Sequence, residues 1–167
     1  MKKLLAIDPS INFCGAAIFN IKKKELEHAR LITPDKVVKR DGEFYDKARS
    51  ISDQIKTIVA DSDIDRIVCE LPEHWSVAGF AARESGSIQK LNFVCGMIYS
   101  AIHEVDLFEF VIPRGWKGQL SKEVCSNRLA PLYGGKGKFY KVDEWEELNH
   151  NVKDAIGIGH WRIFGRV

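Results

Sequence analysis

The sequence contains no long apolar run. No stretch of its 167 residues approaches the roughly 20 consecutive apolar residues that a membrane-spanning helix requires, so no membrane partner is expected. The opening segment, MKKLLAIDPS, starts like a signal peptide, but Asp8 ends its apolar run well short of a signal core of about 7–15 residues. A first β-strand is the better interpretation of this segment, and the cytoplasm is the expected compartment.

Paired cysteines are also lacking. The four cysteines are Cys14, Cys69, Cys95 and Cys125. They form no C-x-x-C pair, and their spacings match no zinc-binding pattern. Three of them lie inside apolar runs, where cysteine behaves as a small hydrophobic residue. We therefore expect reduced thiols in a reducing compartment.

The chain has no internal repeat, no low-complexity tract and no P-loop for a nucleotide phosphate. The segment GGKGKFY, residues 134–140, lacks the spacing and the hydroxyl of G-x-x-x-x-G-K-[ST], so no nucleotide cofactor is expected. With 45% hydrophobic and 29% charged residues, the composition is that of an ordinary globular protein. The length suits one domain, residues 1–167, with a full core.

The net positive charge is small for the whole chain but large in one segment. The net charge is +2, whereas residues 112–141 alone carry a net +6, which leaves −4 for the remainder. The basic residues of this segment are Arg114, Lys117, Lys122, Arg128, Lys136, Lys138 and Lys141. A localised basic segment suits a polyanion bound on one side of the protein. A solvated lysine-rich loop is the alternative.

Hydrophobic periodicity predicts the order of strands and helices. Strands are predicted at Lys3–Ile7, Gly15–Ile21, Glu25–Thr33, Arg66–Leu71 and Leu107–Ile112, and helices at Phe44–Ala60, Ser85–His103, Ser121 to about Leu132, and within the segment after Asp143. Short links favour antiparallel hairpins among the first three strands, and the intervening helices favour parallel crossovers for the last two. The predicted fold is α/β, a mixed five-stranded sheet of three antiparallel strands then two parallel ones, flanked by helices.

Two of the predicted strands end on a carboxylate. Asp8 follows the run LLAI, and Glu70 follows the run IVC. An ionised carboxylate at the end of a buried strand is costly unless it is paired or binds a metal ion. For Asp8 the alternative is an Asp-Pro-Ser turn, and for Glu70 it is an ion pair with Arg66 or Arg83.

A third carboxylate, Asp154, lies in the segment NHNVKDAIGIGHW. On a helix, His150 and Asn151 precede it by four and three residues, so either can share its face. An aspartate near a helix start ordinarily complements the helix dipole. The small and apolar residues that follow Asp154 suggest instead a helix packed tightly on the sheet, which would hold the carboxylate over the strand ends.

Three converging carboxylates suit hard divalent cations such as Mg²⁺, which prefer oxygen ligands. Two such ions, about 3.5–4 Å apart, clamp the attacking water and the leaving oxygen of a phosphodiester. This chemistry requires carboxylates on rigid elements and a basic surface that holds the substrate. The sequence has both features, which favours a metal-dependent nuclease.

The chain also resembles a known family through five segments. They are LLAIDPSINFCGAAIF (4–19), IVCELPEHW (67–75), ESGSIQKL (84–91), VIPRGWKGQLSKEV (111–124) and NHNVKDAIGIGHW (149–161). In this order they resemble the RuvC family of Holliday-junction resolvases in the RNase H-like superfamily, particularly its compact bacteriophage versions. The resemblance implies a homodimer that nicks opposing strands of four-way DNA with Mg²⁺ or Mn²⁺, in the host cytoplasm if the source is viral.

The same resemblance implies a catalytic set of Asp8, Glu70 and Asp154 around two metal ions per active site. The family has a fourth ligand, aspartate or histidine, at the position of Asn151, with His150 one residue earlier. Asparagine coordinates through its carbonyl oxygen without adding charge. A neutral histidine coordinates or acts as a general base. Asn151 is therefore the positional equivalent, and His150 is the competing candidate.

Basic residues near the family's active site correspond to Lys117 and Lys122. We expect both to contact the scissile or flanking phosphates, with Lys117 also acting in catalysis, and ordinary surface lysines are the alternative. The further residues expected on the DNA-binding surface are Arg114, Arg128, Lys136 and Lys138.

The resemblance also suggests roles for aromatic and apolar residues. In the family, an aromatic side chain in the loop after Glu70 enters the junction centre, and the candidates here are Trp75 and Phe80. Packing beneath the loop is the alternative for Trp75. The predicted helix at 85–103 carries two apolar rows, and we expect it to form the interface of the homodimer.

Two other classes of function compete with a resolvase. A non-catalytic protein that binds branched DNA through a decayed site is suggested by Asn151, but three retained buried carboxylates argue against it. Kinases of the actin-like superfamily share the core fold and begin with a strand, an acidic residue and a hairpin. They need two such domains, for which this chain is too short, and Ser10 stands where glycine is usual.

Overall fold

The computed structural model of the protein describes residues 2–35, 42–73, 86–105, 107–134 and 145–166. The strands are β1 (Lys3–Asp8), β2 (Cys14–Asn20), β3 (Glu25–Ile32), β4 (Arg66–Glu70) and β5 (Leu107–Val111). The helices are α1 (Glu43–Ser62), α2 (Ser87–Ile102), α3 (Pro113–Trp116), α4 (Lys122–Tyr133) and α5 (His150–Phe164), and a 3₁₀ turn covers Trp145–Glu147. Within these described ranges, no helix has the length and apolar character needed to cross a membrane.

The five strands form a mixed sheet in the order β3-β2-β1-β4-β5. β1 pairs antiparallel with β2, and β2 pairs antiparallel with β3. β4 lies parallel to β1, and β5 lies parallel to β4. The parallel strands follow α1 and α2, because a parallel connection has to return the chain to the same end of the sheet. The predicted sheet of three antiparallel strands followed by two parallel ones is confirmed.

Side chains that alternate along the strands build two hydrophobic clusters on opposite faces of the sheet. Ile7 of β1 and Cys69 of β4 belong to the cluster that includes α1 and α2. Ala6 and Val68, one residue earlier on the same strands, belong to the cluster that includes α4 and α5. Asp8 and Glu70, which follow Ala6 and Val68 by two residues, therefore point toward α4 and α5.

Glycines allow α5 to lie close on the sheet. A Cβ atom added to Gly15 of β2 would lie 1.9 Å from the backbone oxygen of Asn151. A Cβ atom added to Gly159 would lie 2.1 Å from the ring of Phe19. The tight packing predicted from the small residues after Asp154 is confirmed, and it presses the first turn of α5 against the beginning of β2.

The structure agrees with most predicted element boundaries to within one or two residues, but the segment after β5 differs. The sequence predicts no helix between Pro113 and Ser121, whereas the structure has the short helix α3 there. Proline at the first helical position suits this start, because its missing N–H has no partner within a helix anyway. Ser121 caps α4 as predicted, since its Oγ accepts a hydrogen bond from the backbone N–H of Val124 at 3.2 Å.

The four cysteines are buried free thiols, as predicted. Burial, reinforced by the nearby charge of Asp154, raises the pKa of the Cys125 thiol to about 11. Burial likewise raises the pKa of Cys14 and keeps it protonated. Protonated buried thiols act as small apolar side chains rather than as metal ligands or nucleophiles.

Candidate active site

Asp8 and Glu70 end two neighbouring parallel strands at the same edge of the sheet. Ile7 of β1 pairs with Cys69 of β4, so Asp8 and Glu70, the next residues on these strands, lie side by side. Neighbouring strands are about 4.8 Å apart, and both side chains point to the face covered by α5. Asp8 is buried with 7% exposure, and Glu70 is half-buried.

Asp154 joins this pair from the second turn of α5, where it is 6% exposed. Burial, followed by the negative charges of Glu70 and Asp154, raises the pKa of Asp8 well above its usual value. Asp8 pairs with Gly15 of β2, and Gly15 packs against the backbone of Asn151, three residues before Asp154 on the same side of α5. The structure therefore brings the three sequence-predicted carboxylates together at one edge of the sheet.

Glu70 is held by a side chain to which the sequence assigns no role at the site. Trp116 Nε1 donates a hydrogen bond to Glu70 Oε2 at 2.5 Å. Burial raises the pKa of Glu70, and the hydrogen bond from Trp116 and the charge of Lys117 partly oppose that effect. The carboxylate thus receives a directed donor at one of its two oxygens.

Two lysines face the three carboxylates. Lys122, at the start of α4, places Nζ 3.1 Å from Asp154 Oδ2. Partial burial opposes the charge of Lys122, but the neighbouring carboxylates outweigh it and raise the pKa of this lysine. Lys117 is half-buried, and its charge lowers the pKa of Asp8 and of Glu70. Both ammonium groups therefore offset part of the negative charge of the site.

The two candidates for the fourth ligand lie in different environments. Asn151 is 7% exposed, and its side-chain Nδ2 donates a hydrogen bond to the backbone oxygen of Phe13. This contact engages the amide nitrogen rather than the carbonyl oxygen, the atom through which asparagine coordinates cations. His150, the first residue of α5, is exposed. Burial beside the strand ends thus distinguishes Asn151 from His150.

The chemistry of the donors fits a hard divalent cation, although the carboxylates now contact protein donors. Oxygen ligands of this type are those that Mg²⁺ and Mn²⁺ prefer, and a cation would relieve the repulsion that acts on Asp8. In the part of the chain that the structure describes, no three His, Cys, Asp or Glu side chains enclose a metal position. Lys122 occupies Asp154, so ion binding there requires the lysine to move away. The hydrogen bond from Trp116 occupies only one of the two oxygens of Glu70.

The other residues predicted to bind DNA are only partly described. Arg114 is exposed and pairs with Glu73 at 3.2 Å, and Arg128 is exposed on α4. The predicted residues that lie outside the described ranges are Trp75, Phe80, Lys136 and Lys138.

A cleft lies between the loop that follows Asp8 and helix α2. It has a volume of about 340 Å³ and separates the loop after β1 from the first turn of α2. Its lining residues are Pro9, Ser10, Ile11, Ser87, Lys90 and Leu91.

Sequence reasoning missed the contact of Trp116 with this site. Trp116 contacts a residue 46 positions away, and no motif spacing links a tryptophan to a strand-end glutamate.

No protein-family model and no curated protein matches the chain. Solved structures, in contrast, have the same fold. Thermus thermophilus RuvC in complex with a Holliday junction substrate superposes with a TM-score of 0.66 at 15% identity, covering 95% of this chain and 90% of that one. A second Thermus thermophilus RuvC structure gives 0.65 at 14% identity, covering 96% and 95%. The yeast mitochondrial Holliday junction resolvase Ydc2 gives 0.61 at 12% identity, covering 93% and 76%. The resemblance predicted from the motifs is confirmed at the level of the fold: this chain has the RNase H-like fold of the RuvC resolvases.

Proposed function

We propose that this protein is a metal-dependent endonuclease that resolves four-way DNA junctions. The observation that carries the proposal is the meeting of Asp8, Glu70 and Asp154 at one edge of the sheet, with Lys117 and Lys122 beside them. The fold supports it, since the Thermus thermophilus protein of the same fold is in complex with a Holliday junction substrate.

The three carboxylates and the carbonyl oxygen of Asn151 would hold two Mg²⁺ or Mn²⁺ ions. Bound there, the ions would polarise the scissile phosphate and activate a water molecule for in-line attack. Asn151 rather than His150 is the fourth ligand, because Asn151 is buried at the edge of the sheet and His150 is exposed.

The lysines stabilise charge on the substrate. The ammonium group of Lys122 leaves Asp154 and contacts a non-bridging oxygen of the scissile phosphate. The negative charge on that oxygen grows during hydrolysis. Lys117 offsets part of the negative charge of Asp8 and Glu70, as its lowering effect on their pKa values indicates, and contacts a flanking phosphate. The DNA strand continues past Asp8 into the cleft, where Lys90 contacts the next phosphate.

A second copy of the chain covers the exposed aromatic side chains of α2 and β5. Tyr99 of α2 is 47% exposed, and Phe110 of β5 is 39% exposed. The Tyr99 ring packs edge-on against Phe108 with 5.1 Å between ring centroids. β5 is an edge strand, so no strand in the described part of the chain pairs with its outer edge. A two-fold dimer through this face has two active sites, as symmetric cutting of a four-way junction requires.

Cleavage of a synthetic immobile four-way junction in Mg²⁺ tests the proposal, beside a linear duplex and a fork of the same sequence. Glu70→Gln should abolish paired nicks while junction binding persists. Glu104→Gln, an exposed glutamate after α2, serves as the matched control and should cut normally. Equal cutting of forks would indicate a broader debranching nuclease. Tight binding without cutting in Mg²⁺ or Mn²⁺ would replace the proposal with a non-catalytic junction-binding protein.

A further inference from the structure

Trp116 links two of the three elements that carry the carboxylates. Its indole Nε1 donates a hydrogen bond to Glu70 Oε2 at the end of β4. The same ring faces α5, since a Cβ atom added to Gly157 would lie 2.6 Å from ring atom Cζ3. Gly157 lies three residues after Asp154, on the same side of the helix. One fully buried side chain therefore contacts both Glu70 and the helix that carries Asp154.

The position of Trp116 is set by short connections to the sheet. Trp116 is the last residue of α3, which begins two residues after β5 ends. The ends of β4 and β5 are joined by a hydrogen bond in which the Leu71 N–H donates to the Val111 oxygen at 2.8 Å. The indole and the carboxylate are thus attached to adjacent strands and have little freedom to separate.

A tryptophan supplies a donor without a charge. The indole has one N–H and no acceptor, so it occupies one carboxylate oxygen and leaves the other available. Lys122, in contrast, brings a full positive charge to Asp154 and has to leave before a cation takes its place. The Trp116 contact is therefore compatible with a cation on the second oxygen of Glu70.

We infer that Trp116 is a positioning residue that orients Glu70 for metal binding, with Oε2 held by the indole and Oε1 presented to the ion. The inference rests on the proposed role of the carboxylates as metal ligands. Donors of this kind orient first-sphere ligands, and their loss typically weakens metal affinity about 10- to 100-fold.

Calorimetric titration of the DNA-free protein with Mn²⁺ tests this role without an activity assay. Trp116→Phe, which keeps an aromatic ring and removes the N–H, should weaken Mn²⁺ binding about 10-fold or more. Trp145→Phe is the matched control, because Trp145 is buried in the same hydrophobic cluster. It should bind Mn²⁺ like the wild type. In a Glu70→Gln background, Trp116→Phe should cause no further loss. Equal affinities for Trp116→Phe and Trp145→Phe would overturn the inference.

A second measurement keeps Trp116 in place and so tests the inference even if Trp116→Phe does not fold. In a ¹⁵N-labelled protein, the indole proton of Trp116 should resonate downfield and shift upfield in Glu70→Gln, because a bond to a charged acceptor is lost. An unchanged resonance would overturn the inference. The two proposals fail separately: a protein that binds Mn²⁺ through a Trp116-oriented Glu70 but cuts no junction refutes only the nuclease function.

Discussion

Gly15 lies directly beneath the backbone of Asn151, so that a Cβ atom at Gly15 would be 1.9 Å from the Asn151 oxygen. Gly15 also pairs with Asp8 across β1 and β2. One residue without a side chain therefore sets the distance between the strand that carries Asp8 and the first turn of α5. Close packing of that helix is a condition for the three carboxylates to meet.

Gly15→Ala should destabilise the protein and weaken Mn²⁺ binding together. The added methyl group meets backbone atoms that cannot rotate away, and overpacking of this kind costs about 1–3 kcal/mol of unfolding free energy. Gly96→Ala is the control, since a Cβ atom there meets nothing within 4 Å, and alanine favours the helix by up to about 1 kcal/mol. Thermal unfolding and Mn²⁺ calorimetry would measure both effects. A Gly15→Ala protein as stable as Gly96→Ala would contradict the packing described.

Asp8→Asn should abolish cleavage yet stabilise the metal-free protein at pH 7. Burial and the neighbouring carboxylates raise the pKa of Asp8 in the folded state above its unfolded value of 3.8. The wild type therefore loses stability as the pH rises from about the pKa of Asp8 in the unfolded state through its pKa in the folded state. Asparagine has no charge to bury, so the variant should be more stable than the wild type at pH 7.

Denaturant unfolding in a chelator at several pH values measures this gain. Asp53→Asn, an exposed aspartate on α1, should leave the stability unchanged. The gain from Asp8→Asn should shrink as the pH is lowered toward 4, because both states then bind the proton. An Asp8→Asn protein less stable than the wild type at pH 7 would show that Asp8 contributes to folding rather than opposing it.

Lys122→Met should slow junction cleavage about 10- to 100-fold and should also lower the stability of the metal-free protein. The loss of rate is expected because the ammonium group no longer stabilises charge on the scissile phosphate. The lysine side chain of the ion pair is 59% exposed, but Asp154 is 8% exposed, so the variant leaves a buried carboxylate without this partner. Single-turnover cleavage and thermal unfolding separate the two effects. Lys56→Met, on the exposed side of α1, is the control, and an equal rate for both variants would exclude Lys122 from the site.

Tyr99→Asp should convert a homodimer into monomers. An added charge on the exposed aromatic face of α2 and β5 is desolvated in the proposed interface without a partner. Val124→Asp introduces the same charge at a 41% exposed position on α4, on the other face of the sheet, and should leave the dimer intact. Sedimentation velocity reports the mass of each variant. Monomeric wild-type protein, or a dimer in Tyr99→Asp, would show that this face is not the interface.

The sequence predicts the sheet correctly because its signals are local. Alternating apolar residues and short links identify the hairpins of β1, β2 and β3, and intervening helices identify the parallel strands. Asp8 and Glu70 then follow at one edge, since the carboxyl ends of adjacent parallel strands coincide. The helix α3 is missed, because four residues are too few for a periodic pattern.

The sequence by itself determined the mixed sheet, the two strand-end carboxylates and the packing of a glycine-containing helix, since each depends on residue type and short-range order. Only the tertiary structure decided what each carboxylate contacts. The bonds from Trp116 to Glu70 and from Lys122 to Asp154 join separate elements, and their geometry depends on how those elements pack. Likewise, the rotation of α5 on the sheet buries Asn151 and exposes His150, a difference that adjacent positions in a sequence do not encode.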